Sequence, residues 1–257
     1  MLLVGLAPLS RGTSIAIKLE RDRIFLAADT RESRSAGVAN QDTSEFRNDF
    51  CKIVPLGKIG FAVTGHADYH ASGPGDALRD WDARDDARTV NSQYPDNITS
   101  MSDEWGRRAG LHYLSFYRVD ANRVRGLAAM NSANLIVEGI FVGWKSKREP
   151  ITRAEDIFFD PGAVGGIQAH YTEFAFSELP FSTNDTTAEL IKGQTERAKA
   201  VAARWAKEGT HVAKSQRDWQ YLEFLIQATA DYDPAVGKNV DVLEVRPNGH
   251  YKWLRHH

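Results

Sequence analysis

The sequence predicts an α+β fold, a four-layer αββα sandwich of two antiparallel sheets between helical layers. Three observations predict it. The element order reads strands, two helices, strands, two helices, strands. The first strands come as two hairpins, joined by a long polar loop. No internal stretch is rich enough in Pro, Gly or Ser to serve as a linker, so residues 13–257 read as one domain.

The first hairpin is the clearest element. Ile15, Ile17 and Leu19 alternate with Ala16 and Lys18, the period of a strand. Glu20 to Arg23 is a polar turn, and Ile24 to Ala28 is an apolar run of buried-strand length. Thr30 to Phe50 is polar and reads as a long loop. Lys52 to Leu56 and Ile59 to Thr64 form the second hairpin around Gly57, and Gly65 ends it.

Helical signals follow. Asp76 to Val90 is rich in Ala, Arg and Asp, after a Gly73-Pro74-Gly75 break. Ser102 reads as the N-cap of the next helix, with Asp103 and Glu104 in its first turn. Trp105, Ala109, His112 and Phe116 then share a face. Strands return at Leu135 to Trp144, Ile157 to Phe159 and Gln168 to Phe176. Thr186 and Glu189 fit a capping box before a helix carrying Ile191, Ala198, Val201 and Trp205. A last helix carries Trp219, Leu222 and Ile226. Val240 to Val245 and Tyr251 to Leu254 close the chain as a hairpin around Asn248-Gly249.

Composition narrows the function classes. Of 257 residues 42% are hydrophobic, enough for a sizeable core, and the net charge is only −2. Arg and Lys are scattered, so neither nucleic acid nor a membrane surface is an expected partner. The single cysteine, Cys51, excludes an intrachain disulfide and fits a reducing compartment. A cytoplasmic location is therefore favoured, with a periplasmic or secreted one if the true start lies upstream. Residues 1–12 read as a leader, a propeptide or the remnant of a signal segment, since Met1 to Leu9 is apolar but lacks a basic flank. His66, Asp68 and His70 match no standard ligand spacing, and neither metal nor cofactor is expected.

Four short stretches carry a resemblance: Gly12-Thr13, Ala27 to Arg31 (AADTR), Cys51-Lys52-Ile53 and Val63-Thr64-Gly65. Together with Asp233 to Val245 they resemble the proteasome β-subunit and HslV branch of the N-terminal nucleophile (Ntn) hydrolases. The sixteen-residue step from Thr13 to Asp29 matches the family spacing without a gap. The resemblance implies that residues 13–257 are a proteasome-like Ntn-hydrolase domain and that the Gly12–Thr13 bond is cleaved, by self-cleavage or by a signal peptidase. Thr13 would then be the nucleophile, Lys52 the catalytic lysine and Asp29 its supporting carboxylate. Gly65 would supply an oxyanion N–H, and Asp233 would be the late carboxylate of the site. Arg31 and Ser177 are lesser candidates, Ser177 as the nearest counterpart of a second family serine. The implied activity is that of a threonine peptidase acting on a peptide or small amide, often within a homo-oligomeric ring.

That chemistry is coherent in its own terms. A threonine hydroxyl is a weak nucleophile until a base takes its proton. A free α-amine, with an ordinary pKa of about 7.7–8.0, is partly neutral at physiological pH and can be that base. A neighbouring ammonium favours the deprotonated forms of both groups. A glycine lets backbone approach a substrate carbonyl closely. The chain departs from the family at one telling place. Where a serine and two glycines usually follow the late aspartate, it reads Val236-Gly237-Lys238. A non-catalytic assembly or binding protein, and a hydrolase of non-peptide amides, are the alternatives. Cys51 is a rival nucleophile without an evident histidine partner in the sequence.

Overall fold

The computed structural model describes residues 13–35, 44–69, 80–129, 132–146, 149–163, 165–175, 187–193, 217–233 and 236–257. The first hairpin forms as its alternation dictates, with β1 (Ser14–Glu20) antiparallel to β2 (Ile24–Asp29). The polar loop beyond it contains a small hairpin, β3 (Glu32–Ser35) with β4 (Ser44–Arg47). The second main hairpin is β5 (Ile53–Leu56) and β6 (Ile59–Gly65). Two short strands, β7 (Asp68–Tyr69) and β8 (Trp81–Asp82), pair ahead of the helices.

The helices are α1 (Ala83–Gln93), α2 (Ile98–Val119) and α3 (Ala121–Ala129). Asp82 caps α1 by accepting the Arg84 N–H at 2.7 Å, so that helix starts later than its composition predicts. The second helix also starts elsewhere. Asn97, not Ser102, is its cap and accepts the Ser100 N–H at 3.1 Å. Ser102 lies inside the helix, buried, and its hydroxyl donates to the Thr99 carbonyl. Asn is as good a cap as Ser, and it stands one turn earlier. The sequence gives no sign of α3 as a separate helix.

The later strands are β9 (Leu135–Ser146), β10 (Glu149–Phe159) and β11 (Ile167–Ala175). Next comes β12 (Thr187–Gly193), then the helix α4 (Arg217–Ala230), β13 (Val240–Val245) and β14 (Tyr251–Arg255). The capping box expected at Thr186 and Glu189 is thus overturned. Residues 187–193 are a strand paired along the whole of β1, from Ser14 opposite Gly193 to Glu20 opposite Thr187. Sheet pairing here outweighs a local helix signal. Ala198, Val201 and Trp205 lie outside the described residues.

The strands form two five-stranded antiparallel sheets, ordered β12-β1-β2-β13-β14 and β11-β10-β9-β6-β5. Strand parity sorts their side chains into three cores. Ile15, Ile17, Leu26 and Leu243 of the first sheet meet Ile53, Ala62, Ile140 and Val142 of the second. The other face of the first sheet, with Ala16, Phe25 and Val242, packs on Leu222, Leu225 and Ile226 of α4. The other face of the second, with Phe61, Phe141 and Val63, packs on α1, α2 and α3 through Val90, Trp105 and Val124 respectively. The result is a mixed α+β sandwich with helices on both outer faces. Among the described residues Trp105 is the largest fully buried side chain, and its indole N–H donates to the Ala83 carbonyl at 2.9 Å. Gly139 leaves it room, since a Cβ there would lie 2.5 Å from the indole ring. A buried tryptophan of this kind is worth about 3–5 kcal/mol against alanine. Among the described residues no helix is long and apolar enough to cross a membrane.

One buried carboxyl in this layer has a pH signature. Glu155 of β10 lies under Gly106 of α2, where a Cβ would come within 2.6 Å of its Oε2. Burial pushes its pKa from 4.5 up to about 7, against the pull of Arg153 and with Asp103 and Asp156 adding to the rise. The folded chain therefore holds a proton on Glu155 that the unfolded chain releases at lower pH. The stability this confers is complete below the unfolded pKa and is lost as pH rises through about 7. Glu155→Gln should flatten that slope, on the order of 1–3 kcal/mol between about pH 5 and about pH 8. Urea unfolding of both chains at the two pH values measures it, and parallel slopes would refute the assignment.

Candidate active site

The site grows out of the first hairpin. Because β1 and β2 are antiparallel, with Ile15 opposite Ala28, the end of β2 returns to the start of β1. That brings Asp29 beside the segment that follows Thr13. Asp29 Oδ1 accepts the Ser14 N–H at 2.8 Å. Its Oδ2 accepts three further donors: Lys52 Nζ at 3.0 Å, the Arg31 N–H at 3.1 Å and the Gly237 N–H at 3.0 Å. The carboxylate is wholly buried, and Lys52 is only 4% exposed.

A carboxylate out of water needs such partners. An ion pair at this depth is strong only when the remaining lone pairs are satisfied too, and here backbone N–H groups from three segments do that. The pair is also rigid, since each partner sits at a fixed point of a sheet. Lys52 immediately precedes β5, and its carbonyl accepts the Val63 N–H of β6. Gly65 follows two residues later at the exposed end of the same strand. Its φ of +84° is a glycine conformation, and a Cβ there would lie 2.4 Å from the Ile136 carbonyl oxygen.

Asp233 lies in the turn after α4, with its N–H on the Thr229 carbonyl and its own carbonyl accepting the Val236 N–H. That turn carries Gly237 onto Asp29. Gly237 is a site residue the sequence reading missed. A Cβ at this position would be 2.8 Å from Arg31 Cβ and 2.9 Å from Arg31 N, so only glycine fits. Its place right after Val236, in the stretch already singled out, is the signal that was available. Val236 itself is buried against α4 among the residues of the outer core. Lys238 is exposed and pairs with Asp231.

Arg31 reaches Asp29 through its backbone. Its guanidinium Nε donates to Asn48 Oδ1 at 2.7 Å. The neighbouring Thr30 hydroxyl donates to the Asn48 carbonyl at 2.6 Å, and the Thr30 carbonyl accepts the Phe50 N–H. These contacts clamp both ends of the long loop against the site. Thr13 is buried at the entrance to β1. Gly12 and Ser177 lie outside the described residues. The structure thus gathers Asp29, Lys52 and the N–H groups of Ser14, Arg31 and Gly237 in direct contact, with Thr13 one bond away in sequence.

The rival centres differ in character. Burial, with Asp241 adding, pushes the Cys51 thiol up to about 12, and its Sγ lies 3.1 Å from the Ile53 carbonyl oxygen. At neutral pH that is a protonated thiol, unsuited to attack. Burial lowers His66 to about 4, which makes it a neutral imidazole. His70 lies outside the described residues. No protein-family model matches this chain, and no curated protein matches it.

Proposed function

We propose that the chain is an N-terminal-threonine amidohydrolase, a proteasome-like threonine peptidase on an Ntn-hydrolase fold. The observation that carries the reading is the buried Asp29–Lys52 pair, which also holds the Ser14 N–H and so sits beside Thr13. Two antiparallel sheets with helices on both outer faces agree with that fold class.

In this reading, cleavage of the Gly12–Thr13 bond frees the Thr13 α-amine. The amine takes the Thr13 hydroxyl proton as Oγ1 attacks a substrate amide carbonyl. The Lys52 ammonium, oriented by Asp29, favours the developing alkoxide, and the Gly65 N–H faces the oxyanion. The C–N bond then breaks, the leaving amine takes the proton from the α-ammonium, and an ester remains on Thr13. Water hydrolyses that ester, returning the hydroxyl. The substrate is a peptide or a small amide. A homo-oligomeric ring is the proposed assembly, which native mass measurement tests.

Intact mass of the purified chain is the deciding experiment. The wild type should lose residues 1–12, whereas Thr13→Ala should retain them and hydrolyse nothing. A chain that keeps residues 1–12 in full and still cleaves peptides would overturn the mechanism. One observation favours a second reading as a non-catalytic assembly protein: Val236, where the family serine is expected, is buried in an apolar core. An unprocessed N-terminus without labelling by a threonine-directed electrophile is the result that reading requires.

A further inference from the structure

A second polar cluster lies one residue along the chain from the first. Asp29, Lys52 and Val240 belong to the proposed active site and its surroundings, and Val240 pairs with Asp29. The residues adjoining two of these, Cys51 just before Lys52 and Asp241 just after Val240, belong to a different centre; in β13 that is the alternation of a strand, whose successive residues face opposite ways. The β13–β14 hairpin closes this centre. Val242 pairs with Arg255, so His256 arrives beside Asp241. His256 Nδ1 is 3.1 Å from Asp241 Oδ1, and that oxygen also accepts the His257 N–H at 2.8 Å.

The sulfur of Cys51, a carboxylate oxygen of Asp241 and a ring nitrogen of His256 all lie within 4.8 Å of one another. Asp241 is 1% exposed, its Oδ1 is taken by His256 and His257, and its Oδ2 has no well-formed hydrogen bond among the described residues, with the Cys51 thiol as its side-chain neighbour. A buried carboxylate oxygen without a donor is costly and calls for a cation or a water. Its neighbours here are a thiol and an imidazole, two of the commonest transition-metal ligands.

We propose that Cys51, Asp241 and His256 bind a zinc ion, with the fourth position left to water. A sulfur ligand selects against calcium and magnesium, and the S, N, O donor set suits zinc. Zn–S of about 2.3 Å and Zn–N of about 2.0–2.1 Å place ligand atoms roughly 3–4 Å apart, which small side-chain rotations achieve from the present spacing. On binding, the thiol proton leaves to solvent, and thiolate plus carboxylate balance the metal charge. The outer contacts are in place. The His257 N–H fixes Asp241, and the Trp253 ring stacks on His256 with centroids 4.3 Å apart. Arg84 donates to the Cys51 carbonyl at 3.0 Å, but its charge is matched by Asp82. The three ligands are far apart in sequence, so no ligand motif betrays them.

The full-length chain, stripped with a chelator, is titrated with Zn²⁺ by calorimetry and with Co²⁺ by absorbance. One zinc per chain is expected, together with a thiolate-to-cobalt charge-transfer band and the visible bands of a tetrahedral site. His256→Ala, at an exposed position, should weaken zinc by about 10–100-fold or more. Cys51→Ser should remove the charge-transfer band. Thr13→Ala should bind zinc like the wild type, which separates this site from the peptidase reading. No binding, cobalt bound without a thiolate band, or zinc affinity unchanged in both Cys51→Ser and His256→Ala would each overturn the proposal.

Discussion

Asp29→Ala should lower folding stability by about 3–5 kcal/mol, the cost of breaking a buried ion pair by removing one member. The substitution removes the Asp29 partner of the Lys52 ammonium, which is 4% exposed, and the acceptor of three backbone N–H groups, those of Ser14, Arg31 and Gly237. Asp29→Asn separates these effects. Its amide keeps one carbonyl acceptor and the shape, but loses the charge and presents an NH₂ to donors. It should fall between wild type and alanine. Chemical denaturation with an unchanged m-value is the measurement. If both variants unfold at the wild-type midpoint, the carboxylate is not what ties these segments together.

Gly65→Ala should be damaging twice over. The backbone at φ +84° is disfavoured for alanine, and the new Cβ would meet the Ile136 carbonyl oxygen at 2.4 Å. Strained backbone of this kind costs about 1–3 kcal/mol. If the Gly65 N–H also receives the oxyanion, peptide hydrolysis should fall by about 10²–10³ in kcat beyond any loss of folded protein. Activity that merely follows the folded fraction would leave Gly65 a structural glycine and remove it from the mechanism.

Local pattern made the centre of the molecule legible. Ile15, Ile17 and Leu19 alternate cleanly because their strand has a face against each neighbouring layer, and the hairpin spacing then places Asp29 next to Ser14. Lys52 was legible as a lysine before an apolar strand, and its contact with Asp29 follows from how the two sheets stack. What escaped was decided at long range. The β12 segment carries local helix signals, yet it pairs as a strand with β1. The loop after Thr30 is polar enough to read as irregular, and β3 and β4 pair within it by backbone contacts. Gly237 matters because a second segment, at Arg31, presses against it. Cys51, Asp241 and His256 meet only when the last hairpin closes, which no spacing rule anticipates.

The four donors on Asp29 have a consequence for the order of events during folding. One of them, Gly237, is 208 residues away in sequence, whereas Ser14 and Arg31 are local. Contacts of such separation form late, because the intervening chain must first be ordered. The carboxylate is therefore fully dressed only after the turn beyond α4 has docked. A nascent or half-folded chain holds Thr13 and Asp29 without this closure. Under the proposed peptidase reading that delay is a safeguard: destructive chemistry is withheld until the turn beyond α4 has closed on the carboxylate.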